Sequence, residues 1–432
     1  MVKIKYKKQR KSDIDLIVET AKKLRIRNEN NSISLRGAGA GDIDLLLYSR
    51  LDIDPDEEDY ILRSVLFSAV ASNELSDDFS AEDLLNIVRK KYWEKKTDKS
   101  NRYTVLTGMY LKGELPISRL KLHDCLIQRL KPLKSRTQAR MIDSHNEAVR
   151  TIHFRHFPRI DDDYCVTAGS SEKQLFKIFV SAKNAEIAYR RALGAFGELR
   201  GLLSYLMNRN KHSRMSTGSY RQSLNDVRPI QFSTVHQKSG ELAEQGLWYY
   251  PEWSKPGNVQ DLDSRPVVKK NLDRGISVLK GSNFPSAHAR RALRMYCDST
   301  DNLDLRKAFL ELWTTLEFIT TLGKQVPHEK VVRRASSIYK DKAHALLYLN
   351  HYRDIRNGMV HGYADYDERF AERVLFQLNR DVCAFLDYFV FNQTGSSSAT
   401  EFEEFFDAPF DNELIKMRLQ VYERVLRFRR DP

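Results

Sequence analysis

LRKAFLELWTTLEFITTL, residues 305–322, decides the fold of the C-terminal part of the chain. Its apolar residues recur at spacings of four and three, the period of an α-helix with one buried face: Leu305, Phe309, Leu312, Leu316 and Ile319. A similar stripe predicts a long last helix: Phe370, Val374, Leu378, Val382, Phe385 and Phe389. Residues 327–340 and 343–357 predict two shorter helices between them. Short links between amphipathic helices are typical of an antiparallel bundle.

The rest of the chain is predicted to be helical at first and mixed later. Residues 56–74 and 80–97 show helical periodicity, and Ser80 is placed to cap the second helix. Short runs rich in Phe, Ile, Val and Thr in residues 150–182 predict strands, and residues 183–209 return to a helical pattern. The predicted fold class is therefore mainly α, a C-terminal antiparallel helical bundle with an N-terminal α or α+β region.

The length of the chain and the positions of its Pro, Gly and Ser residues predict several domains. The chain has 432 residues, more than the ~250 to 300 at which single cores stop growing. Prolines are scattered through residues 210–285, and a Gly/Ser/Thr linker begins at 392. We expect four segments: residues 1–149, mostly helical; 150–285, mixed α+β; 286–395, the helical domain; and 396–432, an acidic linker and a C-terminal helix.

Composition indicates a soluble globular protein, with 41% hydrophobic and 30% charged residues. No apolar run approaches the ~20 residues that cross a bilayer, and the N-terminus lacks the apolar segment of a secretion signal. We therefore expect a cytoplasmic protein with no membrane partner. The four cysteines form no CxxC pair, so the sequence indicates neither a disulfide framework nor a cysteine zinc site. No metal or cofactor is expected.

The chain is strongly basic, with a formal net charge of +13. A polyanion such as nucleic acid is a natural partner for such a protein. Residues 111–160 hold eleven Lys or Arg against four acids. This basic window has two interpretations, a solvated face or a nucleic-acid contact surface.

A polar cluster interrupts the predicted bundle in HYRDIRNGMVHG, residues 351–362. On a helix, Asn357 and His361 lie near one face and Arg356 is one position round from Asn357. An imidazole can exchange a proton near neutral pH, and a guanidinium can hold two phosphate oxygens. RNA supplies its own nucleophile, the 2′-hydroxyl. We therefore take Arg356, Asn357 and His361 as candidate catalytic residues for RNA cleavage without a metal.

RNGMVH resembles the RNxxxH version of the HEPN signature, in which Arg and His are separated by four to six residues. Together, LRKAFLELWTTLEFITTL and YRDIRNGMVHGY are similar to the Apea-like HEPN family, over about a quarter of the chain. The resemblance implies a helical ribonuclease domain, a homodimer that places two motifs at one composite site, and a role as a toxin or antiviral defence effector. It also includes the Glu317 position.

Glu317 and Tyr352 are candidate supporting residues. Glu317 is either a partner for Arg356 or His361 or an ordinary salt-bridged helix residue, and Tyr352 is equally ambiguous. The acidic and aromatic segment from Glu401 to Glu413 also has two interpretations. It is a plug over a cationic RNA groove, with its phenylalanines in place of bases, or else an acidic surface loop or a strap that ties the final helix to the bundle.

The predicted function is that of an endoribonuclease, a hydrolase-type nuclease of the HEPN class, acting on RNA as a homodimer. The N-terminal regions would sense a trigger or a partner protein. The alternative is a non-catalytic HEPN module for RNA binding or dimerisation. The sequence identifies neither the RNA target nor the trigger.

Overall fold

The structure is a computed structural model. It describes residues 4–6, 11–29, 32–37, 42–53, 59–97, 101–131, 135–156, 164–211, 223–250, 253, 256–362 and 368–430. The chain divides into two compact units, Met1–Ser100 and Asn101–Pro432.

The first unit is a small α+β body. Its described elements are β1 (Ile4–Tyr6), α1 (Lys11–Leu24), β2 (Arg25–Arg27), β3 (Ile33–Leu35), α2 (Ile43–Ser49), β4 (Leu51–Ile53), α3 (Asp59–Val70) and α4 (Ala81–Thr97). Strands β1 and β4 pair antiparallel, as do β2 and β3. Ser80 caps α4 as predicted: its Oγ accepts from the Asp83 N–H at 3.2 Å, and Asp83 accepts from the Ser80 N–H at 2.8 Å.

A six-stranded antiparallel sheet, in the order β10-β9-β5-β8-β7-β6, forms one part of the second unit. Its elements in chain order are β5 (Asn101–Tyr110), β6 (Arg119–Leu122), β7 (Cys125–Arg129), α5 (Arg136–His156), β8 (Lys173–Ala182), α6 (Ala185–Asn208), β9 (Phe232–His236) and β10 (Leu242–Tyr249). Strands β5 and β8 pair over ten residues and form the centre of the sheet.

The prediction of a mainly α fold is wrong, because this sheet makes the chain α+β. Strands β5, β6 and β7 lie where helices were expected. From Val105 to Tyr110, β5 is buried on both faces, so its sequence lacks the polar alternation that marks a half-exposed strand. Conversely, the run that begins at Thr151, expected as a strand, belongs to α5 as far as His156.

A helical bundle completes the second unit. Its helices are α7 (Pro266–Lys280), α8 (Phe284–Asp301), α9 (Leu305–Thr321), α10 (His328–Ser336), α11 (Lys342–His361), α12 (Glu368–Val390), α13 (Ala399–Asp407) and α14 (Asn412–Arg430). Helix α6 packs on the sheet and on α7 and α8, while α9 packs on α8, α10 and α12. A side chain at Gly201 of α6 would overlap the Leu293 carbonyl, so this glycine lets α6 and α8 approach closely.

The predicted apolar stripes face the core of this bundle. Phe309, Leu312, Leu316 and Ile319 of α9 are fully buried. The described stripe residues of α12 are also buried. Helix α14 is exposed along nearly its whole length. In the described part of the chain, no helix combines the length and apolarity needed to cross a membrane.

Candidate functional site

Helix α11 carries the three candidate catalytic residues, and its ends are fixed by local chemistry. At the start, Asp341 accepts a hydrogen bond from the His344 N–H at 3.0 Å. At the end, Gly362 adopts a left-handed conformation with φ 69°, and its N–H bonds to the Gly358 carbonyl. Because glycine enters this conformation without a Cβ clash, the helix ends directly after His361.

Arg356 and Asn357 contact each other in the last turns of α11. The Arg356 Nη1 donates to the Asn357 Oδ1 at 3.2 Å, and both residues are half-buried. A guanidinium has five N–H donors in a planar fork, so one bond to an amide still allows it to bind two phosphate oxygens. The amide therefore orients the guanidinium and does not block it.

His361 is exposed, as are its neighbours Val360 and Gly362. On an α-helix, His361 lies about one turn beyond Asn357 on nearly the same face. An exposed imidazole at a helix end is accessible to a large ligand such as a nucleic acid. The three residues thus form an open, polar end of α11, which we call the motif end.

Glu317 contacts other residues of the bundle. Its Oε1 accepts from the Trp313 Nε1 at 2.6 Å and lies 3.3 Å from the His328 Nε2. Trp313 is 1% exposed, so its indole N–H requires a partner inside the protein. These contacts connect α9 to the start of α10, which fits the salt-bridged interpretation of Glu317.

Tyr352 is buried one turn before Arg356, with 2% of its surface exposed. Its hydroxyl bonds to Asp381 of α12, and burial and this carboxylate raise the pKa of the phenol. Tyr339 also donates to Asp381. Tyr352 therefore holds α11 against α12 through Asp381.

Asp381 is a buried acid that the sequence interpretation missed. Burial raises its pKa to about 6, while the hydroxyls of Tyr339 and Tyr352 and the charge of Arg380 act in the opposite direction. A signal was present, because an acid stands next to Val382 in the apolar stripe of α12. An acid at such a position needs hydrogen-bond donors from neighbouring helices.

The acidic segment after the linker packs as a strap. Phe402 and Phe406 of α13 are completely buried, and Asp407 accepts from the Arg334 Nη2 at 2.6 Å. This ion pair lowers the pKa of Asp407 to about 2. Since these two phenylalanines are within the bundle, they do not occupy a groove for bases, whereas Phe405 is exposed. The burial of Phe402 and Phe406 and the ion pair of Asp407 fit the strap.

A surface cavity of about 720 Å³ lies between α5, the start of α6 and β10, and the motif-end residues do not line it. Trp248 forms one wall, and Glu147, Glu186 and Glu241 lie around it. Glu186 pairs with Arg190 at 2.6 Å and Glu241 with Arg140 at 3.5 Å. The cavity is thus lined by mixed charge and lies apart from the motif end.

Among the described residues, no group of three or more His, Cys, Asp and Glu side chains has an arrangement that could hold a metal ion. Comparisons of the chain with protein-family models, curated proteins and solved structures found no match. The HEPN resemblance therefore depends on the motif and its helices, and it stays a prediction.

Proposed function

We propose that this protein is an endoribonuclease of the HEPN type that cleaves RNA by 2′-hydroxyl attack without a metal. The observation that carries the proposal is the motif end. There, a guanidinium oriented by an amide and an exposed imidazole lie on the last turns of one helix. The residue types, their contact and their accessibility suit a phosphodiester substrate.

In the proposed reaction, His361 removes the proton from the 2′-hydroxyl, and the resulting oxygen attacks the adjacent phosphorus. Arg356 binds the phosphate oxygens and stabilises the charge of the phosphorane. The bond from phosphorus to the 5′-oxygen then breaks, and that oxygen takes a proton from a second, protonated imidazole that acts as the general acid. The products are a 2′,3′-cyclic phosphate and a 5′-hydroxyl end.

We further propose a homodimer as the active form. General acid–base cleavage uses one group that accepts a proton and one that donates it, and a single motif end supplies one imidazole. Because His361 is exposed at the end of α11, a second copy can approach it. The HEPN resemblance implies the same arrangement, with two motifs in one composite site.

The biological setting that we propose is antiviral defence or growth arrest, with the HEPN-like bundle as the toxic effector. The separate compact unit Met1–Ser100 is a candidate for sensing a trigger. The family resemblance supports this setting. Toxicity on expression tests it, and we expect toxicity from the parent and not from His361→Ala.

The direct test incubates the purified full-length chain with total RNA in EDTA. We expect cleavage by the parent and by His351→Ala, and none by His361→Ala. His351 is the matched control, because it is an exposed histidine on the same helix. Cleavage by His361→Ala at the parental rate would contradict the proposal. RNA binding without cleavage by any of the three would favour the alternative, a non-catalytic RNA-binding module.

A further inference from the structure

Different helices cover the two faces of the six-stranded sheet. Helix α6 covers one face, where Phe196 packs on Phe176 of β8 at 5.4 Å between ring centroids. Helix α5 lies on the other face, over β9 and β5. There, the His145 Nδ1 is 2.8 Å from the Thr234 Oγ1, and Met141 shares a core cluster with Leu106.

On the same face as α5, but further along the sheet on β8, β7 and β6, the strand register brings another set of side chains together. Phe179 of β8 pairs with Thr104 on one side and Leu126 on the other, and Leu126 pairs with Lys121 of β6. One row further along the strands, Lys177 of β8 pairs with Gln128 of β7, and Gln128 pairs with Arg119 of β6. We call this set the basic sheet face; its key members are Arg102, Arg119, Lys121, Gln128, Lys177 and Phe179.

Positive charge is concentrated on the basic sheet face. The register places four cationic side chains on β5, β6 and β8, and the residues of the described strands that pair with them include no acid. Burial and the charge of Arg119 both lower the pKa of Lys177. Arg102, Arg119 and Lys121 are exposed. Like charges on neighbouring strands repel each other, and an anionic partner would relieve that repulsion.

An aromatic ring lies within this cationic surface. Phe179 is 37% exposed, although a central strand of a sheet would normally bury a phenylalanine. The Lys177 Nζ is 5.5 Å from the centre of its ring. An accessible ring flanked by cations can stack on a base while the cations bind the adjoining phosphates.

We propose that the basic sheet face binds single-stranded RNA, with Phe179 stacked on a base and Lys121, Lys177 and Arg119 on the backbone. The proposal goes beyond cleavage at the motif end and rests on the proposed function only in taking RNA as the nucleic acid. Single-stranded RNA fits better than a duplex, because the bases of a duplex are already stacked and cannot reach a flat sheet.

The test measures binding of a fluorescein-labelled 12-nucleotide oligouridylate to the full-length chain by fluorescence anisotropy. All proteins carry His361→Ala, so that cleavage does not affect the result. We expect Phe179→Leu to weaken binding about tenfold, and Phe179→Trp to retain it. Leucine keeps the apolar volume, so the pair isolates stacking.

The double variant Lys121→Gln, Lys177→Gln tests the proposed contacts of these lysines with the RNA backbone. For single strands, each phosphate contact contributes about 0.7 to the slope of log K against log salt. We therefore expect the slope to fall by about 1.4. Lys238→Gln, at the exposed turn between β9 and β10, is the matched control and should leave the slope unchanged.

Absence of RNA binding by the His361→Ala parent would overturn the proposal. So would parental affinity in both Phe179→Leu and the double lysine variant, or equal binding of a 12-base-pair duplex that is insensitive to Phe179→Leu. Circular dichroism and melting of each variant identify any misfolded protein. The cleavage proposal is judged separately, on proteins with His361 intact, so either proposal can fail without the other.

Discussion

Helix α11 presents two polar groups, one turn apart, in opposite surroundings. Tyr352 is 2% exposed and bonds to Asp381, whereas Arg356 and Asn357 are half-buried and His361 is exposed. The buried group holds α11 to α12, and the open group is accessible to solvent. Polar residues in one short stretch of sequence therefore differ in depth, and only the accessible ones are candidates for chemistry.

The largest expected effect is a loss of RNA cleavage on mutation of the open group, which the buried group should not share. Arg356→Ala should reduce RNA cleavage about 10³-fold, because it removes the group that stabilises the phosphorane, while the melting temperature stays at the parental value. Single-turnover cleavage and thermal melting of the same preparations measure both quantities.

Arg353→Ala is the matched control for this change. Arg353 lies on the same helix and pairs with Asp354 at 3.1 Å, so its loss should alter cleavage less than twofold. If Arg356→Ala unfolds the protein, or retains full activity, the open group is structural and the comparison fails.

The next effect is a dependence of the protein's stability on pH, which arises from Asp381. Its pKa in the folded state, about 6, is above the ordinary value of 3.8, so folding favours the protonated carboxyl. The stability that this group contributes is full below pH 4 and is lost as the pH rises through 6. Because one pKa unit corresponds to about 1.4 kcal/mol, the loss is on the order of 3 kcal/mol.

Asp381→Asn should therefore gain stability relative to the parent as the pH rises from 4 to 7. Urea unfolding at several pH values, followed by tryptophan fluorescence, gives the difference in unfolding free energy. Asp354→Asn, an exposed acid of α11, serves as the control. A constant difference between Asp381→Asn and the parent across this range would contradict the assigned environment of Asp381.

The smallest effect comes from Tyr352→Phe. Loss of one hydroxyl donor to Asp381 should cost about 1 kcal/mol of stability and leave the cleavage rate of the folded protein unchanged. Tyr249→Phe, at a tyrosine that is 65% exposed, should cost nothing measurable. A large loss of cleavage in Tyr352→Phe without any loss of stability would give Tyr352 a chemical role.

The sequence predicted the helices of the bundle because their stripes are long and one-sided; Phe309 and Leu316 of α9 are buried as expected. For the sheet it predicted β8, at the run LFKIFVS, and missed the other five strands. Strand β5 is buried on both faces and β6 has only four residues, so neither shows a clear two-residue period over a useful length.

The motif end was predicted only in part. Spacing along a helix placed Asn357 and His361 near one face, and the contact between Arg356 and Asn357 agrees with the proposed orienting role. The contacts of Glu317 with Trp313 and His328 depend on packing between helices. The assembly of Tyr339 and Tyr352 around Asp381 also depends on packing between helices. The spacing of residues within one helix cannot indicate such contacts.

The central claim, cleavage by the 2′-hydroxyl at the motif end, is tested most directly by the chemistry of the product ends. A defined RNA oligonucleotide is cleaved in EDTA, and its fragments are analysed by mass spectrometry beside the same oligonucleotide with a 2′-deoxy substitution at the cut site. The account predicts a 2′,3′-cyclic phosphate or its hydrolysed form and a 5′-hydroxyl, with no cut at the 2′-deoxy position. Fragments with a 5′-phosphate, or cleavage of the 2′-deoxy substrate, would contradict it.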